Sequence, residues 1–183
     1  VDVTKDILFD VDDYRCKRKW SAERYSDGGV TPVIMPVLYG GVTSIPGFDK
    51  IEEDGYNEIV IVDSAHCSKP EMDSYATFFS FHPYKPIAAS DGGILATDNE
   101  ELSSYAQSYR NFGRQNTDKG YEIAASGFKF YMNNLNATIA LSQLEVYEDN
   151  RLARKEVYDF IKTKGFEGHL VPHDDNSSYY VAT

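Results

Sequence analysis

The sequence predicts an α/β fold, a mostly parallel central sheet with flanking helices, and three observations carry that expectation. Ile59-Val60-Ile61-Val62 is a continuous apolar run with no alternation, the pattern of a parallel strand buried on both faces. Other short apolar runs lie around it, at Val30–Leu38, Ala76–His82 and Gly92–Thr97, separated by Gly and Pro. Three helical stripes then follow between residues 98 and 165.

The elements can be justified in order. Val1–Val3 and Ile7–Val11 read as mid-domain sequence rather than a signal peptide. The chain stops at Thr183, directly after the apolar run Tyr179–Ala182, so a piece of a longer protein is expected. Val30–Leu38 and Glu58–Val62 are the first two strands. Ala76–His82 is the third, ending before Pro83 and Pro86, and Gly92–Thr97 is a shorter fourth. Asp98 with Glu101 forms a capping-box pattern, after which Leu102, Tyr105, Ala106 and Tyr109 share one stripe. Ala137, Ala140, Leu141, Leu144 and Tyr147 make a second stripe. Ala153, Val157, Phe160 and Ile161 make a third, closed by Lys164-Gly165 as a cation plus C-cap glycine. Beyond Gly165 the texture changes to loop and then a strand, Ser178–Ala182. The expected division is therefore residues 1–164 as one domain and 165–183 as the start of a smaller C-terminal one.

Composition narrows the function classes. The 183 residues hold 18 Lys and Arg against 29 Asp and Glu, a net charge of −11. A chain this acidic, with no basic cluster denser than Arg15–Lys19, is a poor partner for nucleic acid or anionic lipid. The longest apolar run, Thr31–Gly41, is far short of a membrane span. Cys16 and Cys67 make neither a disulfide framework nor a zinc site. A reducing, cytoplasmic setting is expected. His169 and His173 flank a proline and read as surface loop, not as a metal motif.

Open parallel sheets place ligand sites at strand ends. Asp63, straight after Ile59–Val62, is either a loop carboxylate capping a turn or a buried group awaiting a cation. The third strand runs into Ser80-Phe81-His82-Pro83-Tyr84-Lys85-Pro86. Pro86 keeps Lys85 out of the helical region, so this lysine projects from a stiff, extended loop. A loop lysine is ordinarily a solvated charge. One that follows an aromatic-rich strand can instead lie near apolar surface, lose basicity and serve Schiff-base chemistry. Gly92-Gly93 suits either a close backbone approach or a plain turn.

Taken together, these residues resemble the DegT/DnrJ/EryC1/StrS family of sugar aminotransferases, which are fold-type I pyridoxal-phosphate enzymes. Asp63-Ser64-Ala65-His66 is similar to the family's acidic strand end. Phe79-Ser80-Phe81-His82-Pro83-Tyr84-Lys85 is similar to its cofactor-lysine segment. Gly92-Gly93, then Asp98, Glu100 and Glu101, then Arg110-Asn111-Phe112-Gly113 follow in the family's order, and Asn133–Leu144 resembles its next helix. The resemblance implies that Lys85 holds pyridoxal phosphate covalently and shuttles a proton. It implies that Asp63 pairs with the pyridine nitrogen, that His66 contacts the hydroxyl side of the ring, and that Ser80 binds the phosphate. Lys129, in Gly127–Met132, stands where the family carries an asparagine that reaches a neighbouring subunit's cofactor, with Phe128, Phe130 and Tyr131 as its interface. The implied activity is amino transfer from an amino acid, glutamate first among the donors, to a nucleotide-linked keto sugar, in a homodimer. The alternatives are a sugar dehydratase, in which histidine replaces the lysine, and a non-catalytic relative or inactive fragment.

Overall fold

The computed structural model describes residues 3–24, 31–54 and 58–181. Its central feature is a four-stranded sheet in the order β1-β2-β3-β4, formed by β1 (Val33–Ile34), β2 (Ile59–Asp63), β3 (Ala76–Ser80) and β4 (Gly93–Ala96). The first three strands run parallel, with Val33 opposite Ile59 and Ile61 opposite Ala76. β4 returns antiparallel, with Ser80 opposite Gly93. The expected fold class holds, and the unalternating run of β2 ends in the fully buried Val62.

The first strand is much shorter than the run Val30–Leu38 suggests, and Val30 lies outside the described residues. Pro32 and Pro36 bracket Val33–Ile34, and neither can donate to a ladder. Their carbonyls still accept, from Ile59 N–H at 2.9 Å and Asp63 N–H at 2.9 Å. A helix and a hairpin are among the elements that went unread in the sequence. Helix α1 (Val11–Arg24) has charge on nearly every face rather than a stripe. It begins where Asp10 Oδ1 accepts from Asp13 N–H at 2.9 Å. It is tied to the foot of β2 because Arg18 Nε and Tyr14 Oη both donate to Glu58 Oε1, at 3.0 and 2.9 Å. The hairpin β5 (Arg114–Thr117) and β6 (Gly120–Ile123) turns through Asp118-Lys119.

Helix α2 (Asp49–Glu53) is a single turn and α3 spans Glu100–Tyr109. The cap of α3 is Asn99, whose side chain accepts from Leu102 N–H at 2.7 Å, one residue later than the predicted Asp98. Helices α4 (Asn134–Glu145) and α5 (Tyr147–Ile161) follow. Their apolar stripes reach a core only in part: Ala140 packs with Phe81 and Ala89, and Ile161 against Tyr158 and Leu170, while Leu141 and Phe160 are 64% and 60% exposed. The buried groups of α5 are instead Tyr147, Arg151 and Tyr158. Arg151 is held by Glu148 on its own helix and donates to the carbonyl of Asp175 at 2.7 Å. No helix among the described residues is long and apolar enough to cross a membrane.

After α5 the chain turns at Gly165 and comes back across the sheet. Val171 packs in the main apolar cluster with Leu38, Val42, Val62 and Cys67. The expected strand does not form over residues 178–181, where Tyr179 turns the backbone at φ +51°, and Ala182 lies outside the described residues. The segment bonds to a loop rather than to a strand: Ser178 N–H donates to Gly41 O at 2.8 Å, and Tyr180 and Val181 N–H donate to Gly40 O at 2.9 and 3.0 Å. His173 is not a loose surface residue. Its ring packs on Tyr158 and Tyr179 at centroid distances of 5.0 and 4.9 Å, and its Nε2 bonds the carbonyl of Val181 at 2.9 Å.

The close approach needs glycine at 41, where φ is +96° and a Cβ would lie 2.8 Å from both His66 O and Ser178 Cβ. Gly41→Ala should therefore destabilise the fold by about 2 kcal/mol, read as a lower urea midpoint at unchanged m-value. A midpoint equal to that of the parent would show that the returning segment is not bound this tightly.

Candidate active site

The site is assembled from consecutive strand ends. Asp63 is the last residue of β2 and lies in register with Phe78 on β3. Ser80, two residues on, ends β3 on the same side-chain face. The parallel pairing alone therefore puts Asp63 and Ser80 on one face of the sheet, two register positions apart. The turn after Asp63 is fixed by its own polar groups: Asp63 Oδ1 accepts from Ala65 N–H at 3.0 Å, and Ser64 Oγ donates to Cys67 O at 2.7 Å. Asp63 thus caps its turn through one carboxylate oxygen, and it also acts electrostatically on His66. Cys67 behind the turn is buried, which pushes its thiol up to about 11 and leaves it un-ionised.

His66 receives a hydrogen bond on Nδ1 from Gly40 N–H at 3.2 Å. A backbone N–H can only donate, so Nδ1 accepts and a neutral ring carries its proton on Nε2. The imidazole is held below its ordinary value of 6.5, first by burial and then by the positive charge of Lys85, with Asp63 opposing. Two rings enclose it, Tyr180 at 4.5 Å and Tyr39 at 5.5 Å between centroids.

Lys85 is half-buried. Its loop folds back as a turn, with Lys85 N–H donating to His82 O at 2.9 Å. Its Nζ lies 5.4 Å from the centroid of the Tyr180 ring, within range of a cation–π contact. Ser80 Oγ accepts from His82 N–H at 3.3 Å, which anchors the start of the same loop. His66 is therefore within electrostatic reach of both Lys85 and Asp63, and Ser80 begins the loop that carries Lys85. Lys129 makes its contacts on another part of the chain: it bridges to Asn111, and its Nζ lies 5.5 Å from the Tyr131 ring.

Tyr180 and Tyr39 were missed in the sequence. Tyr180 sits in a run legible only as a strand, and nothing in spacing says that its ring would meet His66 and Lys85. Tyr179 before it adopts φ of +51°, a left-handed conformation that is costly for an aromatic residue. Its hydroxyl donates to Asp174 O at 2.7 Å and holds it there.

A parallel strand pair ending in a carboxylate and a hydroxyl, with an imidazole and a stiff-loop lysine beside them, defines an α/β protein with a lysine-centred polar site. The family model described as the DegT/DnrJ/EryC1/StrS aminotransferase family matches residues 23–179, and the chain belongs to that family. It is similar to the uncharacterized protein MJ1066 of Methanocaldococcus jannaschii, 32% identical over 161 residues, covering 78% of this chain and 42% of that protein. Among solved structures it is similar to a DegT/DnrJ/EryC1/StrS aminotransferase from Brucella abortus, with a TM-score of 0.81 at 19% identity, covering 100% of this chain and 51% of that one. It is also similar to Spr1654 of Streptococcus pneumoniae, assigned as a sugar aminotransferase, in its PMP form. There the TM-score is 0.79 at 22% identity over 100% of this chain and 54% of that one, and Spr1654 has also been solved in a PLP form. The chain thus spans about half the length of the relatives it matches.

The electrostatics of the cluster can be tested directly. In NMR titrations Lys85→Met should raise the pKa of His66 by removing a cation, and Asp63→Asn should lower it. An unmoved His66 in the Lys85 variant would mean that the amine does not face the imidazole. His66 and His173 are both depressed, mainly by burial. The unfolded chain therefore takes up protons first, and stability present above pH 6.5 is lost as pH falls below that value. Urea midpoints that stay level from pH 7 to pH 5 would contradict this.

Proposed function

We propose that this chain carries the lysine-bearing part of a pyridoxal-phosphate-dependent aminotransferase. It would move an amino group from an amino acid, glutamate first, to a keto sugar joined to a nucleotide, as a step in amino-sugar synthesis. The observation that supports the reading is the convergence of Asp63, His66 and Lys85 at adjoining strand ends, with the Lys85 charge acting on His66. The chemistry of this donor set fits the cofactor: a primary amine for an aldehyde, a carboxylate for a ring nitrogen, and a hydroxyl for a phosphate. When bound, pyridoxal phosphate supplies a protonated ring that takes up the electrons released as a substrate Cα–H bond breaks.

In this reading Lys85 Nζ would hold the cofactor's aldehyde group at rest and, once the donor's amine had displaced it, would be the free base that moves a proton at the substrate carbon. The Asp63 carboxylate would keep the ring nitrogen protonated, and the bond it accepts from Ala65 N–H fixes its direction. His66, neutral with its proton on Nε2, would donate from that atom toward the ring's oxygen side, and Ser80 Oγ would donate to the phosphate. Tyr39 and Tyr180 pack against His66, and Tyr180 also lies against Lys85.

The same proposal makes the working protein a cytoplasmic homodimer, for which the free thiols Cys16 and Cys67 suit a reducing compartment. Phe128 and Phe130 stack at 5.3 Å while more than half exposed, a surface suited to a second copy that would bring Lys129 to its neighbour's site. Residues 1–164 then belong to the cofactor-binding domain and 165–183 begin a second, the break falling where Gly165 turns the chain at φ +85°.

Borohydride reduction after incubation with pyridoxal phosphate, followed by peptide mapping, should place the label on Lys85. A label on Lys69 or Lys129 would overturn the assignment. Asp63→Asn should keep that label but slow amino transfer by a hundredfold or more (an order-of-magnitude figure for losing a group matched to the reacting charge). Turnover near the parent rate would reduce Asp63 to a turn cap. Phe130→Asp should convert a dimer to a monomer in sedimentation velocity, and a dimer that survives would move the interface elsewhere.

A further inference from the structure

A groove outside the Lys85 cluster stands apart by its chemistry. It lies between the C-terminal end of α3 and the β5–β6 hairpin, has a volume of about 740 Å³, and includes Ser108, Arg110, Asn111, Arg114, Asn116 and Tyr121 in its lining. That volume is within the range of small-molecule sites. None of its lining residues is acidic, although the chain carries 29 Asp and Glu against 18 Lys and Arg. Among the described residues, neither Arg110 nor Arg114 forms an ion pair.

Arg114 is held rather than free to swing. Its guanidinium carbon lies 4.4 Å from the Tyr121 ring centroid and 5.4 Å from that of Phe112. Stacking on aromatic faces fixes the plane of an arginine and orients its paired N–H groups. Arg114 Nε and Ser108 Oγ are buried without a hydrogen-bond partner, an unfavourable state that asks for an explanation. The turn that delivers Arg114 is itself strained, with φ of +61° at Phe112 and +73° at Gly113. A Cβ at Gly113 would lie 1.7 Å from the carbonyl oxygen of Ala125, so the packing dictates this conformation. Left-handed non-glycine residues persist where surrounding structure over-determines them, and they gather at ligand clamps.

The geometry points to a second ligand site in this groove, one that binds a phosphoryl group through Arg110 and Arg114 and is separate from the Lys85 cluster. Two guanidinium forks, with Asn111 and Asn116 beside them, offer more donors than the two oxygens of a carboxylate can accept, whereas a terminal phosphoryl group presents three. The carboxylate-free lining removes the nearest part of the repulsion that a chain of charge −11 exerts on an anion.

The test is calorimetric titration of the full natural chain with inorganic pyrophosphate at low salt, after Lys85 has been blocked by pyridoxal phosphate and borohydride. Saturable binding should persist after blocking, and should weaken at least about tenfold in Arg114→Gln and in the exposed Arg110→Gln. Arg114→Lys should recover little, since a lysine lacks the fork. Citrate, whose anionic groups are all carboxylates, should compete poorly. Loss of pyrophosphate binding on blocking Lys85 would place the anion in the cofactor site and overturn the proposal. So would binding unchanged in Arg110→Gln, equal competition by citrate, or no binding by a chain that still takes the borohydride label at Lys85. That last result would leave the proposed function standing while removing this site.

Discussion

The structure of the candidate site depends on two glycine carbonyls. Gly40 O and Gly41 O accept from Tyr180, Val181 and Ser178, and through them residues from opposite ends of the sequence share one wall. Gly40 N–H also fixes the His66 ring. A single short loop therefore orients the imidazole on one side and docks the Tyr180 segment on the other. The docking is dry: Ser177 and Ser178 have no exposed surface, so each of their polar groups must find a partner. Ser178 meets this through Ser68 N–H at 3.1 Å, Tyr147 Oη at 3.1 Å and Arg154 Nε, which donates to its carbonyl at 2.8 Å. Removing the close approach at Gly41 would strand these groups as well as strain the loop. That links the geometry of the site to the stability of the fold around it.

The charges of the cluster follow from the same packing. An imidazole that accepts at Nδ1, is half-buried and faces an ammonium group has three independent reasons to stay neutral. Asp63, which opposes them, has one oxygen engaged by its own turn. The neutral imidazole thus stands between the opposing influences of a carboxylate and an amine. The prolines at 83 and 86 and the turn bond to His82 O restrict the loop from which that amine projects.

Much of this was legible because it is local. Ile59–Val62 reads as a parallel strand and forms one, although only Val62 is fully buried, so Asp63 lies at a strand end. The two prolines around Lys85 restrict its loop whatever the rest of the chain does. What was illegible is what depends on distant partners. Helix α1 has no sustained apolar stripe: only Val11 and Tyr14 of its first turn enter the main core, and Arg18 and Tyr14 tie it to Glu58. The stripe of α5 predicted a core contact, yet Val157 and Phe160 face outward while Arg151 is buried against the carbonyls of residues 175 and 177. Tyr180 belongs to the same class. Its place beside His66 is set by a turn at Tyr179 and by a loop some 140 positions earlier, and neither leaves a mark in the local pattern.

Backbone strain ties the two candidate sites together, and it also shows what strain alone cannot do. Among the described residues, four non-glycine positions adopt positive φ: Ile7, Ser90, Phe112 and Tyr179. Tyr179 sets the ring of Tyr180 against the lysine cluster, and Phe112 sets Arg114 in its groove. Ile7 and Ser90 only close turns: the first bonds its N–H to Thr4 O, and the second lies between the Lys85 loop and β4. What separates the first pair from the second is the polar chemistry the strained residue delivers. Beside Tyr180 lie an amine and an imidazole whose charges are coupled. Arg114, beyond the Phe112 turn, is stacked on two rings, has no carboxylate partner and keeps a buried Nε unpaired. A turn that merely reverses the chain can relax into any conformation that closes it. A turn that must hold a cation against an aromatic ring has fewer choices, and a costly dihedral angle persists there because the alternatives would release the side chain.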